Sequence, residues 1–304
     1  MTTDRFRPLA ASLTASVLLR CVLLLSQLST VGLGGCAAAP PAPLAPAPAA
    51  VAASAGVAPV PDVARSRQLL EVALEREALY TLAGGLKPMS TGFWQARLNV
   101  ADTDTAELNT VRAALSLWHT PDLYADVQSF QAVHEGKRTV EAYVVHVPAM
   151  AAMLHRHRRF WSGYGITPAS HPAEVLAVTE RMDQQDRWRG YGYLFGYPDY
   201  AVDFFVDAGR RARETNADVG PGKDRRFIAV PVASTDTGRF TWAAPLDHVP
   251  GPEDERIRST ALTILDRYRS LRPRLQGLHP QQMIGRIADL APPAFTGTPA
   301  QTPR

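Results

Sequence analysis

The chain is poor in cysteine. It has 304 residues and two cysteines, Cys21 and Cys36, both near the N-terminus. Residues 37–304 hold none, so no disulfide can brace that part, and a buried core has to hold it instead. Charge of one sign is lacking too: 32 basic side chains face 29 acidic ones, a formal net charge of +3. Arginine far outnumbers lysine, which speaks for a GC-rich genome more than for a nucleic-acid surface, and nothing marks nucleic acid as a partner. No His-Glu-x-x-His, Walker A or Gly-x-Ser-x-Gly sequence occurs. A zincin site, a P-loop and an α/β-hydrolase elbow therefore have no signal. No repeat at a solenoid period is present.

What is present begins at the N-terminus. Arg5, Arg7 and Arg20, opposed by Asp4, precede an apolar stretch that opens with Cys21-Val22-Leu23-Leu24-Leu25 and runs through Leu28, Val31 and Leu33. Ser26, Gln27, Ser29 and Thr30 interrupt it, so it is too short and too polar for the roughly 20 apolar residues of a good membrane span. Leu33-Gly34-Gly35-Cys36 closes it.

This pattern resembles the signal peptide and lipobox of bacterial lipoproteins. The resemblance covers the start of the chain only. It implies that residues 1–35 are removed as a signal peptide and that Cys36 is lipidated, palmitate labelling being its readout. Cys36 then becomes the first residue of the mature protein, and the membrane is reached through its lipid. It also implies a place in the bacterial cell envelope, facing the periplasm or the surface. Ala37 is not the aspartate that marks inner-membrane retention in enteric lipoproteins, so the resemblance favours the outer membrane. Ala37-Ala38-Ala39 leaves an ordinary cleavage site, and with it plain secretion, as one alternative, and an uncleaved weak anchor is the other. Without Arg5, Arg7, Arg20 and Asp4, 29 basic residues face 28 acidic ones, so the basic balance comes largely from the leader.

After Cys36, residues 37–61 are almost all alanine and proline. Prolines 40, 41, 43, 46 and 48 block helix and favour extended polyproline II, the composition of a spacer. Residues 62–290 read as a single α+β domain, a mainly antiparallel sheet of about five strands with helices packed on it. Residues 291–304, rich in proline and threonine, read as a disordered tail. Within the domain, Asp62 is placed to cap a helix carrying Leu70, Ala73, Leu74 and Ala78 at helical spacing. The alternation from Phe93 to Val100 predicts a half-buried strand. Helices are expected over Asp104–Leu117, Pro148–Trp161, Pro172–Trp188, Tyr200–Glu214 and Glu253–Leu271, with a short one near Gln281–Leu290. Leu123–Val133 and Arg138–Val147 form a hairpin around Glu135-Gly136-Lys137, and the second of these strands, apolar on both faces, is expected to be central. A second hairpin is expected around Asp236-Thr237-Gly238, three letters that match an aspartic-protease motif but read as a turn.

Candidate chemistry sits in a few places. Gly84 to Gly92 places Lys87 among glycines, with Ser90 and Thr91, as an anion cradle or as a helix stop and turn. Gly190 to Tyr200 sets four tyrosines among glycines, rings suited to sugars or peptides. Asp199, Asp203 and Asp207 follow at intervals of four, on one helix face. They suit a cation or acid–base work, or a solvated face paired with Arg210 and Arg211. His155 and His157 do not share a helix face and read as a basic helix end; His146, alone on the central strand, reads as catalytic or as a satisfied core group. The residues singled out are therefore Asp199, Asp203 and Lys87 for catalysis and Tyr193, Tyr197 and Asp199 for ligand binding. No metal and no cofactor is expected. The function read from these residues is binding or envelope organisation, with an envelope protein or glycan as partner. The alternative is an envelope hydrolase with an aromatic cleft near residues 190–207.

Overall fold

A computed structural model describes residues 60–215 and 225–290. The leader, Cys36, the alanine–proline stretch up to residue 59 and the 291–304 tail lie outside the described residues.

The Asp62 carboxylate accepts the Arg65 N–H at 3.0 Å, satisfying a donor that every helix start leaves free. Helix α1 (Val63–Leu74) buries Leu69, Leu70, Ala73 and Leu74 and leads through one turn into the short α2 (Leu79–Leu82). Gly84 and Gly85 stop it at φ of 91° and 77°. A Cβ at Gly85 would stand 2.5 Å from the His146 ring, so glycine is required there for space as well as for conformation. Strand β1 (Met89–Asn99), α3 (Ala106–Ser116), β2 (Leu123–His134) and β3 (Lys137–His146) follow. Glu135 and Gly136, both at positive φ, make the two-residue turn whose twist suits a hairpin.

Strand β3 lies between β1 and β2 in an antiparallel sheet, the central position its apolar faces predicted. Alternate side chains point to opposite sides. Val140, Ala142 and Val144 join one core with Leu70, Leu74, Val111 and Leu115 of α1 and α3. Tyr143 and Val145 join a second core. That core is built by α4 (Val147–Arg156), α5 (Arg158–Trp161), α6 (Pro172–Arg181), α7 (Gln184–Leu194) and α8 (Asp199–Thr215). The hairpin of β4 (Arg225–Val232) and β5 (Thr235–Pro245), then α9 (Pro252–Leu271) and α10 (Pro280–Ala288), extend the first core. No helix among the described residues is long and apolar enough to cross a membrane.

The fold is α+β, but its five strands form two antiparallel sheets of three and two, not one. Five helices separate β3 from β4 along the chain, and Phe240 and Trp242 of the hairpin reach the core through side chains rather than through a ladder. The helix expected over 148–161 breaks at His157 (φ −100°, ψ 27°). The helix expected over 172–188 is two helices. The Asp183 carboxylate accepts the N–H groups of Gln185 and Asp186 at 3.0 and 3.1 Å, which starts α7 afresh and carries it through the glycine–tyrosine stretch to Leu194. The second hairpin turns at Ala233-Ser234, where Val232 pairs with Thr235, and Asp236-Thr237-Gly238 belong to β5.

Candidate functional site

Lys87 sits between the glycine stop and β1, and its side chain is fully buried. Its Nζ donates to Glu77 Oε2, from the turn between α1 and α2. The ammonium lies 4.5 Å from the ring centre of Phe240 on β5 and 5.4 Å from that of Phe195, just past α7. Burial lowers the lysine's pKa, and the Glu77 carboxylate works against that. Around the pair, the Thr81 and Ser90 hydroxyls stand 2.8 Å apart, and the Ser90 hydroxyl donates to the Glu77 carbonyl at 3.3 Å. Thr91 Oγ1 donates to Glu141 Oε2 at 2.8 Å. Glu141 is buried on β3; desolvation raises its pKa, and the Thr91 hydrogen bond offsets part of that. The Lys87 ammonium is thus engaged by Glu77 and covered by two rings. The segment from Gly84 to Gly92 is a joint tying α1–α2, β1, α7 and the β4–β5 hairpin together.

The glycine–tyrosine segment does not line one cleft. Tyr191 is half-buried and donates to Glu180 at 2.7 Å. Tyr193 lies under His157, rings 3.8 Å apart and 8° from parallel. Tyr197 stacks at 6.1 Å on Phe240, within the aromatic group around Lys87. Tyr200 reaches Asp254 at 2.6 Å. The glycines serve packing: a Cβ at Gly190 would meet Thr179 at 3.1 Å, and one at Gly192 would meet Val202 at 2.8 Å. They let α7 approach α6 and α8 closely, a reason that helical periodicity alone does not reveal.

The three aspartates of α8 each find a different surrounding. Asp199 stands 3.4 Å from His157 Nε2. Asp203 pairs with Arg189, which also donates to the Tyr193 hydroxyl at 3.2 Å. Asp207 pairs with Arg210 at 3.6 Å. Asp199 and Asp203 keep 59% of their side chains in solvent, whereas Lys87 keeps none. The structure therefore brings Tyr193 and Asp199 together around His157. It does not bring Lys87 to Asp199 or Asp203, nor Tyr197 to Asp199. His157 titrates below its ordinary range because of burial, which the Asp199 carboxylate partly opposes. His146 Nδ1 accepts the Ala149 N–H at 3.2 Å and caps α4, and burial lowers its pKa, which suits a neutral acceptor. Among the described residues, no group of three or more His, Asp or Glu side chains is placed to hold a metal ion.

One polar network was not foreseen. Asp254, at the third position of α9, accepts from Tyr200 at 2.6 Å and from the Gly251 N–H at 2.9 Å. It also lies 3.0 Å from His248 Nε2. Trp242 Nε1 donates to the Tyr200 hydroxyl at 2.9 Å, and the Tyr200 and His248 rings stack at 4.3 Å. Burial alone would raise the Asp254 pKa; the hydrogen bonds outweigh it and hold the group below the usual carboxylate range. The sequence signal was modest: an acid two residues after Pro252, where a helix start favours one. Beside this network a surface groove runs along β4, with α9 as its far wall. Comparison of the chain with protein-family models, curated proteins and solved structures finds no match.

Proposed function

We propose that this is a lipid-anchored protein of the bacterial cell envelope whose domain binds or organises an envelope component. The observation that carries the reading is Leu33-Gly34-Gly35-Cys36 at the end of a basic and then apolar leader. Two features of the sequence support it. No other cysteine follows Cys36, and an alanine–proline stretch stands between Cys36 and the domain, as a tether would. Binding is supported over hydrolysis because Lys87 and Asp203 are engaged in ion pairs with Glu77 and Arg189, and Asp199 faces His157. The partners that fit are the membrane, through lipid on Cys36, and an envelope protein or glycan. In cells fed labelled palmitate, Cys36→Ala is expected to abolish labelling and to release the protein from the membrane fraction. Undiminished labelling of Cys36→Ala would overturn the anchor.

A further inference from the structure

We infer that Lys87 and Glu77 condense to a side-chain amide, a covalent brace between the α1–α2 turn and the start of β1. The inference goes beyond the proposed function and rests on neither the lipid anchor nor the binding reading. Residues 37–304 hold no cysteine, so a disulfide cannot supply such a brace. A lysine and a carboxylate can, where they are held in contact and away from water. Lys87 Nζ is in direct contact with Glu77 Oε2, and the lysine side chain has no exposure. The rings of Phe240 and Phe195 close over the nitrogen at 4.5 and 5.4 Å, and Tyr197 stacks on Phe240. The structure holds the two groups as the ion pair from which the step begins.

Burial disfavours the charged lysine and so brings the free amine, which is the nucleophile, closer at hand. Two groups already in contact and aligned react at an effective concentration of about 10⁵ M or more. Condensation also removes two charges from a place where their desolvation is costly. A proton first passes from the ammonium to the Glu77 carboxylate. The Nζ lone pair then attacks Glu77 Cδ and forms the N–C bond. The C–OH bond breaks, and the hydroxyl takes a second proton from nitrogen and leaves as water. One ammonium and one carboxylate become one amide and one water, with no change of net charge or oxidation state. A third acid is near. Glu141 is buried within electrostatic reach of Glu77, and burial keeps it protonated to higher pH than usual. Such a neutral acid can hand a proton to the leaving hydroxyl and take one from nitrogen. The 22% of the Glu77 side chain that meets solvent gives the released water a way out.

Peptide mass spectrometry on the full-length protein purified from cells makes the test. Trypsin does not cut between Lys87 and Pro88, so one peptide, 77–97, carries both residues. That peptide is expected to be lighter than its sequence by the mass of one water. Chymotrypsin cuts after Tyr80 and Leu86, and the pieces holding Glu77 and Lys87 are expected to stay joined. The deficit is expected to vanish in Lys87→Arg and in Glu77→Ala. In Glu141→Gln, which cannot pass a proton, most of the peptide is expected at full mass. A native peptide of full mass would overturn the inference, because it would leave the pair an ion pair only. A water deficit with chymotryptic pieces that separate would overturn it too, since the water would then have come from elsewhere. An undiminished yield in Glu141→Gln would overturn the part given to Glu141. The native chain carries the main readout, so a variant that fails to fold does not leave the matter open.

Discussion

Two ion pairs of this domain join similar charges in opposite surroundings. Lys87–Glu77 has no exposure on the lysine and 22% on the glutamate; Arg189–Asp203 has 25% and 59%. In the first, water is replaced by Phe195, Phe240 and the ends of several elements, so the attraction is strong and the desolvation cost is large. In the second, water screens both charges and competes for them. The comparison teaches that a charged residue among glycines or aromatics, read from sequence, says little until its surroundings are known. Lys87 drew attention as a cation free to meet an anion, and it is the one most completely occupied.

The largest effect is expected on removing the buried cation. Lys87→Ala leaves Glu77 without its partner and a void between two rings, and a loss of about 3–5 kcal/mol is expected. Lys87→Met keeps most of the packing and is expected to lose less, because the partly exposed Glu77 can turn to water. Urea unfolding followed by tryptophan fluorescence measures both. A loss under about 1 kcal/mol for Lys87→Ala would put this pair in the same class as an exposed one.

Glu141 sharpens the same point from the acidic side. Its folded pKa is raised by desolvation, with the nearby Glu77 adding to the effect and Thr91 opposing it. The sign follows from proton counting. Between the unfolded and the folded pKa, the folded state holds the extra proton, so the stability it gives is present below the unfolded value and is lost as pH rises through the folded one. Glu141→Gln does not titrate. Its stability relative to the native chain is expected to be lowest near pH 4 and to rise toward neutrality. Denaturant midpoints across that range measure it, and a difference that stays flat with pH would place Glu141 in water rather than in the core.

Much of the fold was legible because its signals are local. The Asp62 cap, the Glu135-Gly136 turn and the two apolar faces of β3 each follow from a few adjacent residues. The parting of the strands into two sheets was not legible, since it depends on how five intervening helices pack. The break at Met182-Asp183 was missed because no glycine or proline marks it, although Asp183 is itself a cap residue. At the candidate site, residue types were visible but partners were not. Glu77 and Phe240 are 10 and 153 positions from Lys87, and nothing in the spacing announces that they meet it. Asp254 escaped notice for the same reason: Tyr200 lies 54 residues away.

The exposed pair provides the other arm of the comparison, with the smallest expected effect. Asp203→Asn leaves Arg189 in contact with solvent and with the Tyr193 hydroxyl, so neither charge nor donor is stranded. A loss of a few tenths of a kcal/mol, and under about 1, is expected. Salt then separates the two regions more cleanly than magnitude does. At 1 M NaCl the screening length is about 3 Å, so the small deficit of Asp203→Asn is expected to vanish. The deficit of Lys87→Ala is expected to persist, because ions do not enter a site closed by Phe195 and Phe240. Paired urea titrations at low and high salt make the measurement. If both deficits shrank together, the Lys87 site would be open to solvent, and the reading of that segment as a closed joint would fall with it.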